Sequence, residues 1–217
     1  MLSPWFILIT LLTVLQMLRM NYFIATIEAQ YTYMLGSRSA ARRINTFFDV
    51  ALPIGGVAAT PAIGFLLDSL STANLLATLV ALTTAIGVFG SLPFAWAGYV
   101  NVTLFVLLRP LYYSAMSDYA AKVFGFATFG RVYGTIICFS GLVNLFQPAI
   151  DAATHDVYDD NPIPTNVAMA ILGLVFGVAL VVYVKVQGSR EQKRMEDEDE
   201  QASRAVIEED PSEYDFD

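Results

Sequence analysis

Two arginines set inside apolar stretches, Arg19 and Arg109, are where this sequence offers chemistry. A charged side chain at mid-bilayer costs at least about 2.5 kcal/mol on insertion scales, so it faces a bundle interior or a wet cavity and marks a path for solute or ions. Arg109 precedes Pro110, whose ring removes one helix hydrogen bond and frees the carbonyl a turn earlier. At helical spacing Phe105, Tyr112, Tyr113 and Met116 share its face. A guanidinium is a planar fork of donors, so the group fits the carboxylate of a small solute, with Tyr112 and Tyr113 shaping an apolar pocket. The alternative is an arginine that pairs with an acid or caps carbonyls of a neighbouring helix. Arg19 shares a face with Gln16, Tyr22, Thr26, Gln30 and Tyr33, a polar stripe suited to a water-lined pathway. Asn21 and Glu28 fall opposite, placed to bond neighbouring helices.

Other polar residues repeat the pattern more weakly. Asp49, Pro53, Gly55-Gly56 and Pro61 read as an interrupted helix around a cavity, with Asp49 placed to pair with Arg42, Arg43 or Arg19 as a gate, or to couple a proton. Asn144, Gln147, Pro148 and Asp151 either line the same cavity or satisfy one another. Asp118, Lys122 and Arg131 form an ion-pair network near an inner gate, or else ordinary loop packing. Gly130-x-x-x-Gly134 and Gly173-x-x-x-Gly177 read as helix-packing motifs. Asn101-Val102-Thr103 fits a glycosylation acceptor but begins an apolar span, too near the membrane for modification. A single cysteine, Cys138, and a single histidine, His155 in an acidic loop, exclude an intrachain disulfide and argue against metal sites or other cofactors. The usual hydrolytic signatures are missing, so a membrane enzyme is disfavoured.

The elements that must carry these residues follow from composition. Of 217 residues, 56% are hydrophobic and 15% charged, and mean hydropathy is +0.55, too apolar for a soluble domain. The net charge of −8 comes from residues 188–217, with 12 acids and 4 bases; residues 1–187 balance 8 against 8, which disfavours a nucleic-acid partner. About 20 apolar residues cross the hydrocarbon as helix, and windows of that kind lie at 5–28, 46–67, 73–92, 98–117, 132–150 and 165–187. An even number of spans puts both termini on one side. Lys122, Arg131, Lys185, Arg190, Lys193, Arg194 and Arg204 lie there, against Arg38, Arg42 and Arg43 opposite, so the termini are expected in the cytosol. Residues 118–131 read as a short extension of span four, and residues 188–217 as a disordered acidic tail.

Some of these segments carry a resemblance. Gly64-Phe65-Leu66-Leu67-Asp68 looks like a degenerate loop signature of the major facilitator superfamily, with Ser69 where an arginine usually follows. Gln16 to Phe23, Thr26 to Tyr31, Phe48 to Gly56, Arg109 to Tyr119, Lys122 to Gly125 and Phe129 to Gly134 together resemble the fungal branch of facilitators akin to large-neutral-amino-acid carriers, over residues 5–187. The resemblance implies an all-α membrane fold, the C-terminal six-helix half of a major facilitator with its 3+3 inverted repeat. It implies alternating-access transport of an amino acid or similar zwitterion, with the first and fourth helices lining the cavity. Expected substrate contacts are Arg109, Tyr112, Tyr113, Arg19, Gln16, Thr26, Asn144 and Gln147, and expected gate residues are Asp49, Asp68, Asp118, Lys122 and Arg131. A missing N-terminal half or partner chain is implied, as for a truncated copy or partial gene model. The other reading is a structural or regulatory fragment that packs with a partner and transports nothing. A vacuolar and a plasma membrane are both compatible.

Overall fold

The computed structural model describes residues 4–209, which are helical throughout apart from short turns. Among them there is no strand, and 91% are helical. The helices are α1 (Pro4–Leu35), α2 (Arg38–Ser69), α3 (Thr72–Phe89), α4 (Ala95–Phe124), α5 (Phe126–Asn144), α6 (Gln147–Asp156) and α7 (Ile163–Glu209). Five stretches are long and apolar enough to cross a bilayer: Trp5–Leu35, Arg38–Ser69, Thr72–Phe89, Phe126–Asp156 and Ile163–Glu198. α4 has 30 residues, also enough to cross, and its hydropathy is lowered by Arg109, Asp118 and Lys122. This is a multi-pass membrane protein. In lipid every backbone group needs an internal partner, which helices provide.

The turns are set by local chemistry. Gly36 at φ 59° ends α1, and Ser37 caps α2 by accepting from the Ala40 N–H at 3.4 Å. Ser71 caps α3 in the same way through Asn74 at 3.4 Å. Gly125, at φ 72°, is the single residue between α4 and α5, so the expected extension of span four over 118–131 stops at Phe124, and residues 126–131 belong to α5. Asp159 and Asp160 both take positive φ, 50° and 65°, in the turn before Pro162.

Within the compact unit Met1–Val181, α1 is the central helix and packs against α2, α4, α5 and α6. Half of its most apolar stretch is buried, against 11% for α2 and for the α5–α6 stretch. Phe23, Phe48 and Phe105 join α1, α2 and α4, with ring centroids 4.8 to 6.0 Å apart. Without a hydrophobic drive between helices in lipid, close approach at small residues supplies the packing. A Cβ at Gly55 would lie 2.1 Å from Val106 Cγ1, so this glycine lets α2 and α4 meet. Gly177 does the same for α7 on Val80 of α3, where a Cβ would come within 2.6 Å.

Several expectations are corrected here. Span five is broken: α5 stops at Asn144, and α6 begins at Gln147 with Pro148 in its first turn, where a missing N–H costs nothing. Span two is not interrupted: Pro53 and Pro61 sit within a continuous α2, on its exposed side. Gly173 and Gly177 pack, but Gly130 and Gly134 have nothing within 4 Å of an added Cβ. The tail, expected to be disordered from 188, is helical as far as Glu209, and residues 210–217 lie outside the described residues. Residues 189–209 lack proline and glycine and are rich in Glu, Gln, Lys, Arg and Ala, which favour helix. Within the second unit, Val182–Asp217, Arg194 pairs with Glu198 one turn on, at 3.4 Å.

Candidate functional site

The polar stripe of α1 divides between two cavities. Its outer part, Tyr22, Thr26, Gln30 and Tyr33, lines a vestibule of about 610 Å³ together with Glu28, Arg38, Asp151, His155 and Asp160. Its inner part, Gln16 and Arg19, lines a small cavity of about 20 Å³ with Phe23, Gly87, Asn101, Phe105 and Asn166. The first is the size of a ligand pocket, and the second holds one water-sized particle.

Hydrogen bonds close the space between them. The Thr26 hydroxyl donates to the Tyr22 carbonyl at 2.6 Å and accepts from Gln30 Nε2 at 2.7 Å. Asn166 Nδ2 donates to Gln30 Oε1 at 2.8 Å and reaches the Gly90 carbonyl at 3.4 Å. Gln30 borders the vestibule and Asn166 the inner cavity, so their bond is the latch separating the two. Beside it, the Tyr22 hydroxyl meets Thr154 Oγ1 at 3.0 Å, which meets Thr165 Oγ1 at 3.0 Å, tying α1, α6 and α7.

Arg19 is 9% exposed, and its Nη1 donates to the Thr83 carbonyl of α3 at 2.9 Å. Among the described residues it has no acidic partner. Gln16, 2% exposed, makes no side-chain hydrogen bond among them. Asn101 is buried in α4; its Nδ2 lies 3.1 Å from the Tyr31 hydroxyl, and its Oδ1 has no partner among the described residues. Gly87 and Gly90 make room for these groups: a Cβ at Gly87 would come 3.1 Å from Arg19 Nη2, and one at Gly90 would come 3.2 Å from Asn101 Nδ2.

The residues expected around Arg109 are less gathered. Arg109 is half-buried, without a hydrogen bond or ion pair among the described residues. Tyr112 is buried at 1% exposure with its hydroxyl 3.5 Å from Thr13 of α1, so it belongs to the core and not to an open pocket wall. Tyr113 is half-buried and meets Tyr112 edge-on, with centroids 6.2 Å apart.

The chain is 44% identical over 187 residues to Protein FMP42 of Saccharomyces cerevisiae (strain ATCC 204508 / S288c). The aligned region is 85% of this chain and 37% of that protein, so the chain spans little more than a third of its relative. No family model matches the chain, and no solved structure matches it.

The remaining expected site residues are placed as follows. Asn144 closes α5 and accepts from Asn21 Nδ2 at 2.8 Å while donating to the Ser140 carbonyl at 2.7 Å, so it joins α1 to α5 and does not line either cavity described above. Gln147 opens α6, half-buried. Asp49 is exposed and accepts from Asn45 at 3.3 Å. Its expected pairing with Arg42, Arg43 or Arg19 does not form: Arg42 lies two turns away along α2, about 10 Å, and approaches Glu28 at 3.9 Å instead. Asp118 pairs with Lys122 at 2.6 Å, but Arg131, exposed on α5, does not join them, and Asp68 stands exposed at the end of α2. His155, expected to be merely solvated, faces Asp160 and lies 3.8 Å from Asp151. Its imidazole, exposed at the loop end of α6, is held above the ordinary histidine range first by the hydrogen bond to Asp160 and then by the nearby carboxylates.

Asn101, Asn166, Thr83 and Thr154 are not among the expected site residues. Asn101 is hidden in a glycosylation pattern, and Asn166 sits at a loop boundary. A usable signal does exist: Asn166, Ala170, Gly173 and Gly177 recur at i, i+4, i+7 and i+11, one small and polar face of α7.

Proposed function

We propose that this chain works as one six-helix half of a carrier of the major facilitator type, moving an amino acid or similar small zwitterion by alternating access. The observation that carries the reading is the vestibule of about 610 Å³ that runs along α1's polar stripe and stops at the Gln30–Asn166 latch, above a buried arginine. A site of that size accommodates an amino acid, and a closed polar barrier beneath it is what an occluded step requires. Arg109, a half-buried cation with Tyr113 one turn further along α4, receives the solute's carboxylate as the halves rock. The Asp118–Lys122 pair belongs to the cytosolic gate, with Asp68 and Arg131 as separate charges on that side and both termini in the cytosol. Vacuolar and plasma membranes both accommodate this reading.

The second half is expected from a further segment of the same protein or from a partner chain. Gly130, Gly134 and Gly141 on α5 and Gly56 and Gly64 on α2 have open space before them, and Phe126, Leu145 and Phe65 near them are largely exposed. The aligned region leaves 63% of the yeast relative, 100 − 37, which is room for a further helical unit. The test replaces the matching region of that relative with this chain and measures uptake of radiolabelled neutral amino acids in vesicles. Uptake whose KM rises at least tenfold with Arg109→Lys supports the reading, because lysine keeps the charge and loses the fork. A chimera that reaches the membrane and carries none of them favours the structural-fragment alternative.

A further inference from the structure

We propose that the cavity beneath the Gln30–Asn166 latch is a binding site for one small monatomic anion of the halide class, held by Arg19, Gln16 and Asn101. Arg19 is a nearly buried cation in a membrane-spanning helix, and among the described residues no carboxylate answers it. One of its five N–H donors is used, on the Thr83 carbonyl. Buried charges are otherwise paired, so the missing counter-charge is the feature to explain. Two further buried polar groups line the same cavity with hydrogen-bonding capacity to spare: the Gln16 amide, 2% exposed, and Asn101 Oδ1, which has no partner among the described residues.

Arg19 sets the sign of the ligand, and the Asn101 amide can match it. Its oxygen and nitrogen are interchangeable by a half-turn. Turned over, the oxygen accepts from the Tyr31 hydroxyl, now 3.1 Å from Nδ2, and the NH₂ group takes the unpaired position. The buried oxygen is then satisfied, and Arg19, Gln16 and Asn101 all present donors. About 20 Å³ is room for a single small particle and too little for a whole amino acid. Phe23, Ile86, Phe105 and Leu108 complete the wall, an apolar lining that suits a weakly hydrated halide better than a multiply charged oxyanion. The Asn166–Gln30 bond lies between this cavity and the vestibule, since Gln30 borders one and Asn166 the other.

The test follows thermal unfolding of the full chain in detergent in chloride, bromide, sulfate and gluconate at one ionic strength, with bromide located by anomalous scattering. Chloride and bromide are expected to raise Tm saturably, sulfate and gluconate not to, with Arg19→Gln removing the difference and Asn101→Leu weakening halide affinity at least tenfold. Equal Tm in all four salts overturns the proposal, as does a halide effect that survives Arg19→Gln. If Arg19→Gln does not fold, the wild-type salt series and the bromide position between residues 19 and 101 decide. Leucine is run as a separate arm. Stabilisation by leucine and not by halide, lost in Arg19→Gln, overturns the halide site while favouring the carrier; halide stabilisation without any transport by the chimera supports the site and counts against the carrier.

Discussion

Gly55 and Gly56 are neighbours on α2 and should respond oppositely to the same change. An alanine at Gly56 meets nothing within 4 Å, so it gains only the helix preference of alanine over glycine, up to about 1 kcal/mol. An alanine at Gly55 places its Cβ 2.1 Å from Val106 Cγ1, well inside contact distance. Val106 is 4% exposed and β-branched, with essentially one rotamer in a helix, so it cannot swing aside. Relief requires α2 to shift from α4, and overpacking of this kind costs about 1–3 kcal/mol. After the helix gain, Gly55→Ala should end about 0–2 kcal/mol destabilised, roughly 1–3 kcal/mol below Gly56→Ala. Unfolding free energies by steric trapping in bicelles measure the difference directly. On a Val106→Ala background, Gly55→Ala should cost nothing, because the clashing methyl is gone. Equal responses of the two glycines, or a Gly55→Ala penalty that Val106→Ala leaves intact, would refute this packing of α2 on α4.

Other predictions are read from single contacts. The Asn21–Asn144 hydrogen bond should give a double-mutant coupling of about 0.6 kcal/mol, at most near ~1.7, with leucine at each position, and zero coupling contradicts the α1–α5 pairing. The His155 imidazole should titrate above 6.5 by NMR and fall toward that value in Asp160→Asn. Since its folded pKa is raised, its stabilising contact is complete below the unfolded pKa and is lost as pH rises through the folded one; an unchanged titration in Asp160→Asn contradicts the pairing. A peptide of residues 185–209 should show partial helix by circular dichroism that declines when Arg194→Glu sets like charge against Glu198, whereas a coil spectrum for both peptides contradicts the helical tail.

Length and hydropathy make the helices legible, and the face opposite α1's polar stripe is legible at Asn21, which reaches Asn144. Glycine-x-x-x-glycine spacing is not enough, because it says two helices can approach without saying that one does: Gly177 meets Val80 and Gly134 meets open space. The Pro148 break and the unbroken helix through Pro53 differ for a similar reason, since a proline's effect depends on whether neighbours and position satisfy the carbonyl it frees. The stripe on α1 is legible as polar but not as closed. Its closure depends on Asn166, which lies 136 residues from Gln30, and single-helix periodicity carries no information on such a partner. Arg19's acceptor, the Thr83 carbonyl, is a backbone group, which no side-chain pattern names.

Whether this helical membrane unit is half of a zwitterion carrier is tested most directly by counterflow. Vesicles containing the chimera with the yeast relative are loaded with unlabelled leucine and presented with labelled leucine outside. A half carrier in this chimera produces a transient accumulation of label above equilibrium, lost when leucine inside is replaced by a non-substrate and reduced by Arg109→Gln. A chimera of normal abundance and stability that shows no counterflow for leucine or any other neutral amino acid would contradict it.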